Sequence, residues 1–327
     1  MIEPGPIGLP FLANLFDYWV FAHFDRSFDA DSTELAQDTI VPSCRVKYLP
    51  ERLRSAWRAF GLVAGLLGKG GMMDLTEAAR RLADHGTPVD EVFPLLQTVA
   101  ASDLDIEQKV TIVNALLGDH RQQVQSLAAR FARFMGDRST IPILEQLFGS
   151  RRYRDALSSF AALAGNAALP QVLRHLRSPN CWDRSNGVGA ADLLPEPWAT
   201  ELLQSVVRTE RDVFTARAAA YQLADRGIDE GASFIVPDLD SECRPMSIKG
   251  AVSLAALGDR RGLNTLQELL DGQHEMLSGE RWLLCCFIRF RLGWEGDESE
   301  VLHQAISWTA ARLRDQGAAE TAADRAG

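Results

Sequence analysis

The stretch whose residue types could do the most chemistry is Cys181-Trp182-Asp183-Arg184-Ser185-Asn186. Its Trp and its Asp are residue types that a catalytic site could use. Asp is equally typical of a helix start, where its side chain accepts a hydrogen bond from an unpaired backbone N–H. Because a helix is predicted to follow, we interpret Asp183 as its N-cap and keep catalysis as the alternative.

Residues that ligate metals or act as nucleophiles are scattered along the chain. The five Cys show no CxxC or Cys/His spacing of the kind that binds zinc. The six His are also dispersed, and we expect each to be a surface or turn residue. The Gly68-Lys69 pair lacks the Gly at position 63 and the hydroxyl at position 70 that a phosphate loop requires. We therefore predict no metal, nucleotide or other cofactor, and reduced, mostly buried thiols.

A further set of candidate residues is basic and aromatic and recurs at intervals along the chain. Such side chains combine a large contact area with directed hydrogen bonds, and they dominate binding hot spots. The alternative for each is an internal ion pair, such as Arg154 with Asp137 or Asp183. We predict that the partner-binding residues are Arg154, Trp182, Arg184, Arg217, Tyr221, Lys249, Arg281 and Trp282. We refer to these residues, together with Arg130, Arg133 and Arg289, as the predicted binding row.

The elements that must position this row are repeated helix pairs. The segment from Ala132 to Leu144 is echoed by the segment from Ala161 to Leu173, and Gly136 and Gly165 are 29 residues apart. Later glycines, Gly227, Gly258 and Gly293, continue the period at steps of 31 and 35 residues. A period of this length indicates a solenoid, because one helix pair cannot bury its own apolar face.

Each copy of the repeat has the same turn chemistry. A Gly follows an apolar run and is expected to end the helix in a left-handed conformation, and an Asp or Pro then begins the next helix. Ala residues cluster in the second helix of each unit, which lets neighbouring helices approach closely. Apolar spacing predicts helices from Leu75 to Gln316 and no strand alternation. They include Ile106 to Leu117, Arg184 to Leu193, Val213 to Asp225 and Ser299 to Gln316.

This pattern resembles the HEAT-like repeats, in particular the short variety found in bilin lyase subunits and many bacterial proteins. The resemblance extends over roughly Thr76 to Gly293 and is strongest from Ala129 onward. It implies right-handed stacked helix pairs with a concave face that binds a partner, and it favours a bacterial source. Such repeats occur in scaffolds, in adaptors and in a few enzymes.

The resemblance also implies two enzyme alternatives. HEAT-like alkylpurine DNA glycosylases use a Trp and an Asp on such helices, but they have a second Asp where this chain has Asn186, and they need a basic concave surface. Bilin lyase subunits share the repeat type, yet they usually act as pairs. Di-iron HEAT enzymes need several His-Glu dipeptides, whereas this chain has only His274-Glu275.

The net charge and the N-terminal residues argue against several further classes of function. The net charge of -10 argues against a general nucleic-acid or anionic-membrane binder. The apolar start, residues 1–24, has three prolines, Glu3 and Asp17 and no basic beginning, so we expect neither a signal peptide nor a membrane span. Phe11, Leu15, Tyr18 and Trp19 recur at helical spacing and predict a helix that covers the first repeat, or alternatively a docking surface.

We therefore predict an all-α protein, an α-solenoid of stacked antiparallel helix pairs. Residues 1–74 would form an irregular N-terminal helical cap, residues 75–316 the HEAT-like solenoid and residues 317–327 a disordered tail. The predicted function is a non-catalytic, cytoplasmic protein-binding scaffold, which is an adaptor, an inhibitor or an immunity-type protein. Its partner would be a protein with an acidic or mixed surface, while the oligomeric state stays open.

Overall fold

The computed structural model describes residues 80–82, 87–100, 104–148, 154–294 and 296–326, and this part of the chain is helical without a strand. The predicted all-α class is confirmed for these residues. Short turns, two of them 3-10 helices at Gly165–Ala168 and Val236–Asp238, join the helices. In chain order the helices are α1 (Val89–Ala100), α2 (Ile106–Leu117), α3 (Gln122–Met135), α4 (Ile141–Leu147), α5 (Arg154–Ala164), α6 (Leu169–Leu176), α7 (Cys181–Ala191), α8 (Trp198–Thr209), α9 (Val213–Asp225), α10 (Ala232–Ile235), α11 (Arg244–Ala256), α12 (Arg260–Asp271), α13 (Ser278–Leu292) and α14 (Glu298–Ala326).

Side-chain caps explain where several of these helices begin. Asp105 accepts from the backbone N–H of Gln108, and Asp259 accepts from that of Arg261. Helix α7 begins at Cys181, three residues before the predicted start, because Asn180 accepts from the backbone N–H of Trp182. The prediction that Asp183 is the N-cap is therefore wrong, and Asp183 lies in the first turn instead.

The described residues divide into two compact units, and the boundary in the sequence lies within α9, between Ala219 and Ala220. In the N-terminal unit (residues 80–219), helix α3 packs against both α1 and α5, and α5 packs against α7. Even-numbered helices pack against their odd-numbered neighbours, as α2 does on α3, α4 on α5 and α6 on α7.

Small residues allow this close stacking in the N-terminal unit. Ala129 and Ala132 on α3 and Ala161 on α5 are fully buried. The buried Ser159 hydroxyl donates to the carbonyl of Ala129 at 2.5 Å, which ties α5 to α3. Of the clustered Ala residues on α5, Ala156 and Ala161 therefore lie in the core, whereas Ala162 is exposed.

In the C-terminal unit (residues 220–326) two odd-numbered helices again contact each other, but each also packs against the even-numbered helix that follows it. Helix α11 packs against α12 and α13, and α14 packs against α12 and α13. Its core is built from aliphatic side chains such as Ile248, Leu263, Leu266 and Leu284.

The repeat glycines end their helices in two ways. Gly165, Gly227, Gly258 and Gly293 have positive φ, as predicted for a left-handed helix end. Gly136 does not, since its φ is -88°, and that part of the prediction is wrong. A side chain at position 136 would instead place its Cβ 2.6 Å from the carbonyl oxygen of Ala132, so Gly136 is required by a close approach.

The predicted N-terminal cap and C-terminal tail differ in how far the structure describes them. The N-terminal cap, residues 1–74, lies outside the described residues. At the other end, α14 continues to Ala326, so residues 317–326 are helical rather than disordered. Their Ala-rich composition explains this result, because Ala has the highest intrinsic helix propensity.

One stretch of the described residues, Asp155–Leu176, is long and apolar enough by composition to cross a membrane. It consists of α5, a 3-10 turn and α6, and Gly165 in the turn has a φ of +57°. Buried core helices pass the same test, and α5 contributes Ala156, Leu157 and Phe160 to the core. A single stretch of this kind is weak evidence for a span.

Candidate functional site

The odd-numbered helices carry every residue of the predicted binding row. Helix α5 holds Arg154, α7 holds Trp182 and Arg184, and α9 holds Arg217 and Tyr221. Helix α11 holds Lys249, and α13 holds Arg281 and Trp282. The first four of these residues belong to the N-terminal unit and the last four to the C-terminal unit.

Arg184 joins two turns of the N-terminal unit. Its Nε and Nη2 donate to the two carboxylate oxygens of Glu210 at 2.7 and 3.1 Å. Its Nη1 donates to the carbonyls of Ser178 and Pro179, both at 3.0 Å. Burial raises the pKa of Glu210, but hydrogen bonds from Arg184 and the N–H of Asp212 outweigh burial and lower that pKa below its usual value. Arg184 thus forms the internal ion pair that was the alternative for each residue of the row.

Asp183 also has an internal partner in the same turn. The hydroxyl of Ser178 donates to its carboxylate at 2.7 Å. Trp182, the other half of the Trp-Asp dipeptide, is half-buried on the first turn of α7. The geometry around Asp183 is that of a turn-stabilising carboxylate.

The start of α9 exposes a cluster of apolar and basic side chains. Val213 and Phe214 are 51% and 64% exposed. The guanidinium of Arg217 lies 5.8 Å from the centroid of the Phe214 ring, within cation–π range. Arg211 is exposed in the turn just before the helix. We refer to Arg211, Val213, Phe214 and Arg217 as the α9 entry patch.

Tyr221 and Lys249 are brought together in the C-terminal unit. The Tyr221 hydroxyl donates to the carboxylate of Asp238 at 2.7 Å, and both residues are buried. The ammonium of Lys249 lies 4.3 Å from the centroid of the Tyr221 ring. Gly250 keeps this cluster close-packed, since a Cβ there would approach the Cβ of Asp238 to 3.2 Å.

Four arginines of the row have local partners. Arg281 forms an ion pair with Glu298, and Arg289 donates to the carbonyl of Gly296 at 2.7 Å. Arg130 is buried with its Nε 3.8 Å from the carboxylate of Asp155. The guanidinium of Arg133 lies 4.7 Å from the centroid of the Phe134 ring. Trp282 is half-buried on α13.

An open groove of about 1290 Å³ lies among α4, α5 and α6 in the N-terminal unit. Its aromatic wall contains Phe148, whose ring centroid is 5.0 Å from that of Phe160 and 6.3 Å from that of His175. The exposed side chains of Arg174 and Arg177 line it, and so do Glu145 and Asp183, which balance their charge. Apart from Asp183, none of the predicted site residues lines this groove.

Sequence reasoning missed both Phe214 and the groove. An apolar residue in the first turn of a predicted helix is read as core, and only tertiary packing shows that Phe214 faces solvent. The groove combines residues from α4 to α7, and their spacing in the sequence does not indicate that they meet. For Phe214 the available signal was its position just after Glu210-Arg211-Asp212, a polar turn.

Metal and thiol chemistry have limited support in the described residues. No group of three or more His, Cys, Asp and Glu side chains among them could hold a metal ion. Cys181 is exposed and Cys243 is half-buried, whereas Cys285 and Cys286 are buried. Burial raises the pKa of both Cys285 and Cys286 to about 12, so these two thiols stay protonated and unreactive at neutral pH.

No protein-family model, curated protein or solved structure matches this chain. The function must therefore be argued from the residues of the chain itself.

Proposed function

We propose that this protein is a HEAT-like α-solenoid that binds a protein partner through its odd-numbered helices, without catalysis. The single observation that carries the proposal is the order of helix contacts. In the N-terminal unit each of α3 and α5 packs against the next odd-numbered helix, and each has an even-numbered helix beside it. A row of this kind is what stacked two-helix repeats form.

The distribution of side chains supports the same function. The predicted row of Arg, Trp, Tyr and Lys residues lies entirely on odd-numbered helices. We propose that Arg184 fixes the surface through its ion pair with Glu210 and that Trp182, Arg217 and Trp282 contact the partner. Their residue types are those found most often in binding hot spots.

The proposal is tested by quantitative affinity capture with the full chain from a lysate of its source cells. The test variant is Arg217→Glu combined with Trp282→Ala, which alters one odd-numbered helix in each unit. Its matched control is Arg314→Glu combined with Trp198→Ala, because both of these residues are exposed on even-numbered helices.

We expect the test variant to lose a specific partner that the wild type and the control both retain. Circular dichroism of all three proteins checks that the fold is intact. If the test variant captures the same proteins in the same amounts as the wild type, the odd-numbered helices are not the binding surface.

A further inference from the structure

The α9 entry patch is an exposed apolar and aromatic surface on one of the helices that carry the predicted row. Phe214 is 64% exposed and Val213 beside it is 51% exposed. Exposed apolar side chains that lie together and are rimmed by polar groups are typical of protein interaction sites. The guanidinium of Arg217 above the Phe214 ring adds a cationic edge to this surface.

The turn that presents the patch is rigidly held by its own hydrogen bonds. Glu210 accepts from Arg184 and from the backbone N–H groups of Arg211 and Asp212, the latter two both at 2.8 Å. Asp212 caps α9, because its carboxylate accepts from the N–H of Thr215 at 2.8 Å and from its hydroxyl at 2.6 Å. A surface that is already ordered loses less conformational entropy when it binds.

These hydrogen bonds also determine the charge that the patch offers to a partner. The charge of Glu210 is balanced by its ion pair with Arg184, and the Asp212 carboxylate, which keeps its charge, is bound to Thr215, so the two arginines of the patch outnumber its one unbalanced carboxylate. The exposed Arg211 side chain, in contrast, has no hydrogen-bond or ion-pair partner among the described residues. The patch therefore presents cationic and apolar groups on a chain whose net charge is -10.

A second exposed apolar residue at a helix start provides the comparison. Ile106 is 54% exposed at the first position of α2, but it stands between Asp105 and Glu107. No Arg or Lys lies within two residues of Ile106 in the sequence. Exposure is therefore similar at the two helix starts, and only the one at α9 is complementary to an acidic ligand.

We propose that the α9 entry patch binds an acidic segment of a protein partner, in which carboxylates flank one apolar side chain. The apolar side chain packs on Phe214 and Val213, while the carboxylates pair with Arg211 and Arg217. This inference rests on the proposed function and specifies the chemistry of its partner. Raising the salt concentration weakens the binding, because exposed charge pairs are screened.

A random-peptide library displayed on phage and selected on the full wild-type chain tests this inference. We expect the enriched peptides to carry Asp or Glu on both sides of a large apolar residue. One enriched peptide, synthesised with a fluorophore, is then titrated by anisotropy against the wild type, Phe214→Ala, Arg211→Glu and the matched control Ile106→Ala. We expect its affinity to fall about tenfold or more in the first two variants and to stay unchanged in the control.

Four results would overturn the inference. They are the absence of enriched acidic peptides, equal affinity of the peptide for the wild type and Phe214→Ala, a concentration-dependent dimer in sedimentation that Phe214→Ala abolishes, and binding of a labelled single-stranded oligonucleotide that the same variant abolishes. If lysate capture still depends on Arg217 and Trp282 after any of these results, the proposed function stands and only the partner chemistry is wrong.

Discussion

The two units differ in how some of their helix turns are held. In the N-terminal unit, the turn before α9 is held by an ion pair between side chains 26 residues apart, Arg184 and Glu210. In the C-terminal unit glycines are prominent, and five of the six described glycines with positive φ lie there. A turn held by side chains also positions the polar and exposed groups around it, which is why the α9 entry patch adjoins such a turn.

The largest effect is expected where a glycine permits close helix packing in the C-terminal unit. In Gly262→Ala the new Cβ would lie 2.4 Å from the Cβ of Leu254 and 2.5 Å from the backbone nitrogen of Ala255, so α11 and α12 must separate. We expect the free energy of unfolding to fall by about 3 kcal/mol, as measured by urea unfolding. A change within experimental error would show that glycine packing does not shape this unit.

The ion pair and hydrogen bonds of Arg184 in the N-terminal unit should give the next largest effect. Arg184→Met removes four hydrogen bonds and leaves the Glu210 carboxylate, whose side chain is 9% exposed, without its ion-pair partner. We expect a loss of about 2 kcal/mol in urea unfolding. Arg174→Met is the control, because Arg174 is exposed and has no partner among the described residues. Equal free energies of unfolding for Arg184→Met and Arg174→Met would show that the contacts of Arg184 do not stabilise this unit.

The motif Gly-Asp-x-Arg occurs in both units and allows a direct comparison. Asp119 and Asp259 each bind the Arg two residues later through both carboxylate oxygens. The side chain of Asp119 is 1% exposed and that of Asp259 is 19% exposed. We expect Asp119→Ala to cost about 2 kcal/mol and Asp259→Ala about 1 kcal/mol. A larger loss of stability in Asp259→Ala than in Asp119→Ala, by thermal or urea unfolding, would contradict this expectation. It would show that burial of the carboxylate does not determine how much the turn stabilises the protein.

The pH dependence of the free energy of unfolding should reveal the same ion pair between Arg184 and Glu210. Because the pKa of Glu210 is lowered in the folded protein, its stabilising contribution is complete above its unfolded pKa and is lost as the pH falls through the folded value. The difference in unfolding free energy between the wild type and Glu210→Gln should therefore be constant near neutral pH and shrink in acid, below about pH 4.5. A difference that grows in acid would contradict the lowered pKa.

The smallest effect is expected at a glycine with free space around it. Gly317 lies within α14, and apart from the adjoining residues and backbone of the helix itself, no described atom is within 4 Å of the position of an added Cβ. Gly317→Ala should stabilise the protein by about 0.5–1 kcal/mol in urea unfolding, the opposite sign to Gly262→Ala. Destabilisation would mean that residues 317–326 are not helical.

The sequence was sufficient to predict what depends on neighbours along the chain. Apolar spacing located α2 and α9 at their observed ends, and four repeat glycines have the left-handed conformation that was expected. The ion pair between Arg184 and Glu210 could not be predicted, because the two residues are 26 positions apart and no spacing rule joins them. The exposure of Phe214 depends on the packing of other helices, so the patch likewise required coordinates.

Site-specific photo-crosslinking tests the central claim, binding by the odd-numbered helices, most directly. A photoreactive amino acid replaces Trp182 on α7 in one full-length chain and the exposed Trp198 on α8 in another, and each chain is irradiated in the source lysate. We predict that the chain labelled at position 182 crosslinks a specific partner and that the chain labelled at position 198 does not. Equal crosslinking at both positions, or crosslinking at position 198 alone, would contradict binding by the odd-numbered helices.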